Sequence, residues 1–187
     1  AGLVLAVLNV NPPHRARPDG PRSRGRVVPA LLEAGSPWDA VFAAERRFDL
    51  REFAPFRLVA IDRDVVVDLH WGGREAEIGS QLLAGRAALF TSSGLGDDRV
   101  TAVRGELFER LLSVPRGEWP AAQDAFHRHR WADRPELSVD MARADARTVS
   151  RAVVEVGGER VRFRYHPADE PSSETVCELP LRAEARS

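Results

Sequence analysis

The chain opens on an unbroken apolar run, Leu3 to Leu8, that ends in the polar Asn9. A run of this kind predicts a strand covered on both faces. With Ala at position 1 and no capping element ahead of so buried a strand, the chain is expected to be the later part of a larger domain. Residues 12–22 are rich in proline and arginine and predict an irregular loop. Ser23 then stands as a cap for a helix whose buried stripe is Val27, Val28, Leu31 and Leu32, ended by Gly35 where φ > 0 is wanted. Ser36-Pro37 starts a second helix at once, with Trp38, Val41 and Phe42 facing inward.

From Phe56 the period changes to two. Phe56 to Asp62 and Val65 to Trp71 read as an antiparallel pair turning at Arg63-Asp64, and Glu75 to Gly79 as a weaker third strand. Ala87 to Ser92 is apolar and runs into a polar corner, Thr91 to Gly96. An amphipathic helix follows over about Asp98 to Leu112, with Val100, Val103, Leu107, Leu111 and Leu112 on one face and Asp97 or Asp98 as its cap. A second helix covers roughly Glu118 to His129, burying Trp119, Ala122 and Phe126, with Trp131 close behind.

Leu137, Val139 and Met141 alternate with Ser138 and Asp140, a strand pattern. Thr148 to Val156 and Arg160 to His166 flank Gly157-Gly158 as a hairpin. Its second strand should turn Val161, Phe163 and Tyr165 to the core and Arg160, Arg162, Arg164 and His166 to water. The expected organisation is a single α+β domain over 1–167 and a polar tail over 168–187, whose one apolar piece is Val176 to Leu181.

Composition narrows the function classes. At 187 residues the chain suits one domain with a real core, and its net charge of −1 gives no bulk attraction for nucleic acid or membrane. All its basic charge is arginine, which fits the codon bias of a GC-rich, bacterial genome. Cys177 is the only cysteine, so an intrachain disulfide is excluded and a cytoplasmic setting is expected. No apolar run is long enough for a membrane span.

Three places carry candidate chemistry. Asn9, at a strand end, can aim an amide N–H at a developing oxyanion, or simply start the turn before Pro12. Ser23-Arg24-Gly25 can cradle an anion at a helix start, or act as an ordinary cap beside an exposed arginine. Ser92 and Ser93, with Arg99 and Arg104 beyond them, occupy a strand–helix corner, where sites and plain turns both occur. His127 and His129 lie two apart on a helix and do not share a face, so no metal site is expected. The arginines of the loop, Arg15, Arg17, Arg22, Arg24 and Arg26, lack interleaved aromatics and read as solvated.

Several pieces, taken in order over about Gly2 to Pro167, resemble the NRDE family, also called the Transport and Golgi organisation 2 family. They are Gly2-Leu3…Leu8-Asn9, Ser23-Arg24-Gly25, Phe90-Thr91-Ser92-Ser93-Gly94-Leu95, Arg104…Leu107-Phe108, Phe126-His127-Arg128-His129, and Ser138-Val139-Asp140-Met141…Asp145-Ala146-Arg147-Thr148-Val149-Ser150. The resemblance implies the four-layer αββα sandwich of N-terminal-nucleophile hydrolases, here N-terminally incomplete. It also implies cleavage of a C–N amide bond by an N-terminal Cys whose α-amine is the base.

By the same resemblance Asn9 helps form the oxyanion hole, Ser93 stands where the amidases carry Asn-Ser, and Arg104 or Arg99 matches a site arginine. Neither an N-terminal Cys nor an Asn-Arg-Asp-Glu stretch occurs, so the chain by itself should be inert, with a nucleophile expected about fifty residues upstream. No cofactor is implied for the amidase reading. The other function the resemblance allows is non-catalytic binding or trafficking, with haem or lipid as cargo. The expected partner is a small-molecule ligand or amide substrate, with no nucleic acid, no membrane and an open oligomeric state.

Overall fold

The structure, a computed structural model, describes residues 2–11, 21–144, 146–170 and 172–181. Arg15 and Arg17 of the arginine-rich loop, and Asp145, lie outside them. The chain forms two compact α+β units, Ala1–Arg99 and Val100–Ser187, each holding one antiparallel sheet.

The first unit is a four-stranded meander in the order β1 (Val4–Asn9), β2 (Phe56–Ile61), β3 (Val65–Trp71) and β4 (Ala76–Leu82). The period of two read from Phe56 onward is the pleat itself: Phe56, Leu58, Ala60, Val67, Leu69 and Trp71 share one face and are buried. Between β2 and β3 the Asp62 carboxylate accepts from the backbone N–H of Asp64 and of Val65, both at 2.9 Å, and fixes the turn.

Two helices cover the buried face: α1 (Val27–Ala30), entered through a 3-10 turn at Arg24–Arg26, and α2 (Pro37–Arg47). Val27, Leu31, Ala40, Val41 and Ala44, with Phe53 just ahead of β2, complete the core. Ser36 caps α2, its hydroxyl accepting from the Asp39 N–H at 3.1 Å, with Pro37 preset for the first turn.

Three expectations change here. β1 is an edge strand with Ala6 and Asn9 exposed, and only Leu3, Leu5 and Val7 pack on the core; β2 and β3 are the buried strands. An apolar run reads as two-sided burial whether or not the second face is covered. The first helix stops after Ala30, which leaves Leu32 at 70% exposure, and Gly35 is not among the glycines with positive φ. On α2 the buried stripe is Pro37, Ala40, Val41 and Ala44, while Trp38 and Phe42 stack on each other outside it, ring centroids 5.7 Å apart. Small residues let the helix approach the sheet closely, and the large aromatics would hold it away.

The second unit runs α3 (Asp98–Leu112), α4 (Trp119–His127), then β5 (Ser150–Gly157), β6 (Arg160–Pro167) and β7 (Thr175–Pro180) as a three-stranded sheet. Gly158, at φ +58, makes the β5–β6 turn. Val100, Leu107 and Phe126 are its buried apolar residues, with Phe108 set edge-on against Phe126.

Leu137–Met141 is not a strand. Pro135–Leu137 is a 3-10 turn, and only an isolated bridge joins Ala142 to Arg147. The stretch expected to be a polar tail carries β7, paired with β6 from Tyr165↔Thr175 to Arg160↔Pro180. Arg162 and Arg160 clasp Glu178 across that pair, at 2.6 and 3.2 Å.

The sheet also reverses the expected sides. The arginine face is the more covered one: Arg151 reaches Asp124 of α4 at 2.8 Å, and Arg164 reaches Glu155 at 3.1 Å. Val154, Val156, Phe163, Tyr165 and Leu179, on the other face, are each roughly 40–60% exposed. Among the described residues no helix is long and apolar enough to cross a membrane.

Candidate functional site

The first unit gathers most of the candidate residues at one end of its sheet, where β1 and β4 respectively finish and begin. Asn9 closes β1 opposite Phe56, and no partner among the described residues engages its exposed side-chain amide. The next two residues are tied down. Val10 N–H donates to the Pro55 carbonyl at 3.1 Å, and Asn11 N–H reaches the Asp97 carboxylate at 3.4 Å. The other oxygen of that carboxylate accepts from the Ser93 N–H at 2.7 Å. Asp97 therefore joins the end of β1 to the Ser93 corner, across 86 residues of sequence in the case of Asn11. Asp97, one of two residues expected to cap the next helix, reaches back as a clamp.

Ser93 itself is buried. Its hydroxyl oxygen accepts from the Leu95 N–H at 3.2 Å, closing the corner's turn from within. Gly96 finishes that corner at φ +111, and a Cβ there would lie 2.7 Å from an Asp98 carboxylate oxygen. Both facts demand glycine. Gly96→Ala is expected to lower stability by about 1–3 kcal/mol, the cost of a side chain forced into that region; the midpoint of urea unfolding measures it.

Ser23-Arg24-Gly25 joins the same end of the sheet as a brace. The Ser23 hydroxyl accepts from Gly25 N–H at 3.3 Å, and an Arg24 terminal nitrogen donates to the Pro55 carbonyl at 2.8 Å, the acceptor that also serves Val10. The geometry is that of a cap, with the local N–H already matched and the guanidinium holding backbone. The 3-10 turn and α1 are too short to present a row of free N–H groups.

Arg104 belongs to the second unit. It is 7% exposed and donates from Nε to the Leu137 carbonyl at 3.0 Å and from Nη2 to the Ser138 carbonyl at 2.8 Å. Ser138, also buried, accepts from the Trp131 N–H on its hydroxyl at 2.9 Å. This network explains why Leu137–Met141 leaves the ladder: two of the carbonyls a strand would pair are taken by a charged side chain. Of the two arginines between which the sequence leaves the choice open, Arg104 is buried and Arg99 exposed. The structure thus brings Asn9, Ser93 and Arg24 to one end of the first unit, and gives Arg104 a backbone-holding place in the second.

Near α4, the protein packed around His127, then the Arg151 guanidinium, hold the His127 pKa below the ordinary value, with Asp124 opposing them, although the residue as a whole is exposed. A depressed histidine stays neutral in the fold while the unfolded chain takes up the proton first. Its contribution is whole above the unfolded value of about 6.5 and is lost as pH falls through the folded value. His127→Gln should therefore flatten the fall in stability as pH drops below the unfolded value of about 6.5, measured by urea unfolding on either side of it. His127 and His129 belong to no group of three or more potential metal ligands among the described residues.

Sequence reading misses Asp97 as a clamp, and it misses the pairing of Arg57 with Asp68 on adjacent strands. The period-two pattern does place both on the face opposite the main core, a face that also carries Val59 and Val66, and that is the signal from which the pair could be found. Compared with protein-family models and with curated proteins, the chain has no match in either.

Proposed function

We propose that the chain is part of an NRDE-like domain of the N-terminal-nucleophile amidohydrolase type, with its two helix-bearing sheets belonging to an αββα sandwich. In this reading the longer protein cleaves a C–N amide bond, and its nucleophile lies upstream of Gly2. One observation carries the reading: Asp97 clamps the end of β1 to the Ser93 corner, leaving the neighbouring Asn9 amide exposed and unspent. A strand-end amide on a braced backbone is a donor already in place for an oxyanion, so the cost of arranging it is met by the fold.

The roles divide accordingly. Asn9 donates to the developing oxyanion, Ser93 and Asp97 hold the backbone beside it, and Arg24 anchors Pro55 behind it. Arg104 enters as a residue that holds the second unit's backbone. The test is to express the natural protein with everything that precedes Gly2 and to assay a panel of acyl amides, with the nucleophile replaced by alanine as control. Turnover abolished by that replacement supports the reading; no turnover of any acyl amide by a protein that does carry an N-terminal nucleophile counts against it.

A second reading, non-catalytic lipid handling, draws on a different observation. Val154, Val156, Phe163, Tyr165 and Leu179 form a half-exposed apolar face on one side of the sheet, and contiguous exposed apolar residues mark binding surfaces. Nothing comparable favours haem. A fluorescent fatty acid retained by the wild type but not by Phe163→Ser would support the lipid reading, and equal retention by both would end it.

A further inference from the structure

The face of the first sheet opposite α1 and α2 carries a cation that is ion-paired with Asp68 but makes no hydrogen bond among the described residues. Arg57 on β2 stands directly across from Leu8 on β1 and His70 on β3, with Asp68 two residues before His70 on the same face. Its guanidinium lies over the Phe90 ring, 5.7 Å from the centroid, and its Nε lies 3.3 Å from an Asp68 carboxylate oxygen. That Nε is buried yet makes no hydrogen bond, and no partner among the described residues takes the terminal nitrogens. The Arg57 side chain keeps one-third of its surface exposed.

The place for Asp68 is itself shaped by the sequence. Gly79 lies opposite it on β4, and a Cβ there would come within 2.7 Å of a carboxylate oxygen. An arginine kept only to neutralise Asp68 would hydrogen-bond to it; this one is instead oriented by an aromatic platform and a misaligned carboxylate, with two parallel N–H donors left over. Such a fork matches a planar carboxylate in a bidentate pair, and Leu8 and Phe90 supply apolar walls on either side.

We propose that Arg57, braced by Phe90 and Asp68, is the seat of a small organic carboxylate with an apolar body, such as an aryl- or alkyl-carboxylic acid. The site lies wholly within the first unit and goes beyond the amidase reading, because it requires binding and no turnover. The experiment titrates the full chain with phenylacetate, and with the neutral isostere phenylacetamide, by calorimetry and by ¹H–¹⁵N chemical shifts. Wild type should bind phenylacetate with shifts centred on Arg57, His70 and Phe90, and phenylacetamide at least about tenfold more weakly. Arg57→Gln should lower phenylacetate affinity by about tenfold or more and leave the amide unaffected. Arg57→Lys, which keeps the charge without the planar fork, should fall between the two and serves in place of the glutamine variant if that one does not fold. Equal affinity of wild type and variant, equal affinity for acid and amide, or no binding of phenylacetate at millimolar concentration would overturn the proposal. An inactive protein that still binds phenylacetate through Arg57 would leave this site standing and count only against the amidase.

Discussion

Replacing Asn9 by alanine in the longer protein is expected, on the proposed amidase activity, to lower kcat on an acyl-amide substrate by about 100- to 1000-fold, roughly 3 kcal/mol of lost oxyanion stabilisation. KM should change little, because a donor aimed at the oxyanion binds the transition state and hardly touches the ground state. The melting temperature should stay where it is: Asn9 is exposed and its side chain holds nothing among the described residues. The separation of effects is what makes the variant informative. A strand-end asparagine of no chemical consequence would leave kcat, KM and stability alike unchanged.

Arg104 should behave in the opposite way. Arg104→Met removes, among the described contacts, two charge-assisted hydrogen bonds, and takes their donors from the part-buried carbonyl of Leu137 and the buried carbonyl of Ser138. Each such bond to a charged group is worth about 1.5–3 kcal/mol, and the loss should come to about 3 kcal/mol in urea unfolding, since methionine recovers some apolar burial. The second unit has few buried apolar residues with which to absorb that loss. Arg99→Met is the control: Arg99 is exposed in the first turn of the same helix, and its replacement should stay within about 0.5 kcal/mol of wild type. A large effect at Arg99 and none at Arg104 would show that the buried network does not carry the stability assigned to it.

The elements that can be read in advance are those whose pattern is enforced by burial. β2 and β3 alternate because one face is core, and α3 repeats at helical spacing because Val100 and Leu107 are buried. Where burial does not enforce the pattern, it misleads. Leu137, Val139 and Met141 alternate like a strand, yet Arg104, 33 residues before Leu137, claims the carbonyls, and no local signal announces that contact. β7 is exposed along its whole length and shows no period; cross-strand pairs such as Arg162–Glu178 set it, and those are invisible until β6 is in place. Trp38 and Phe42 look like core by size, but Ala40 and Ala44 sit against the sheet instead.

The candidate site divides along the same line. Asn9 at a strand end and the corner at Ser93 can be named from residue type and position. Asp97, which links them, cannot, because its partner Asn11 is distant in sequence and the contact is to backbone. For Ser23-Arg24-Gly25, position suggests both an anion cradle and a cap, and Pro55 decides for the cap by taking the guanidinium. For Arg57 the period-two pattern shows only that it shares a face with Asp68, and an arginine so placed is ordinary until Phe90 is seen beneath its guanidinium.

The amidase reading stands or falls on the first residue of the mature protein. N-terminal sequencing and intact mass of the natively expressed protein test it directly. The expected result is a mature chain that begins with Cys, or with Ser or Thr, ahead of Gly2, with Asn-Arg-Asp-Glu between them. A natural protein whose mature first residue has no side-chain nucleophile would contradict it, and the apolar face of the β5–β6–β7 sheet would then be where to look for what this chain does.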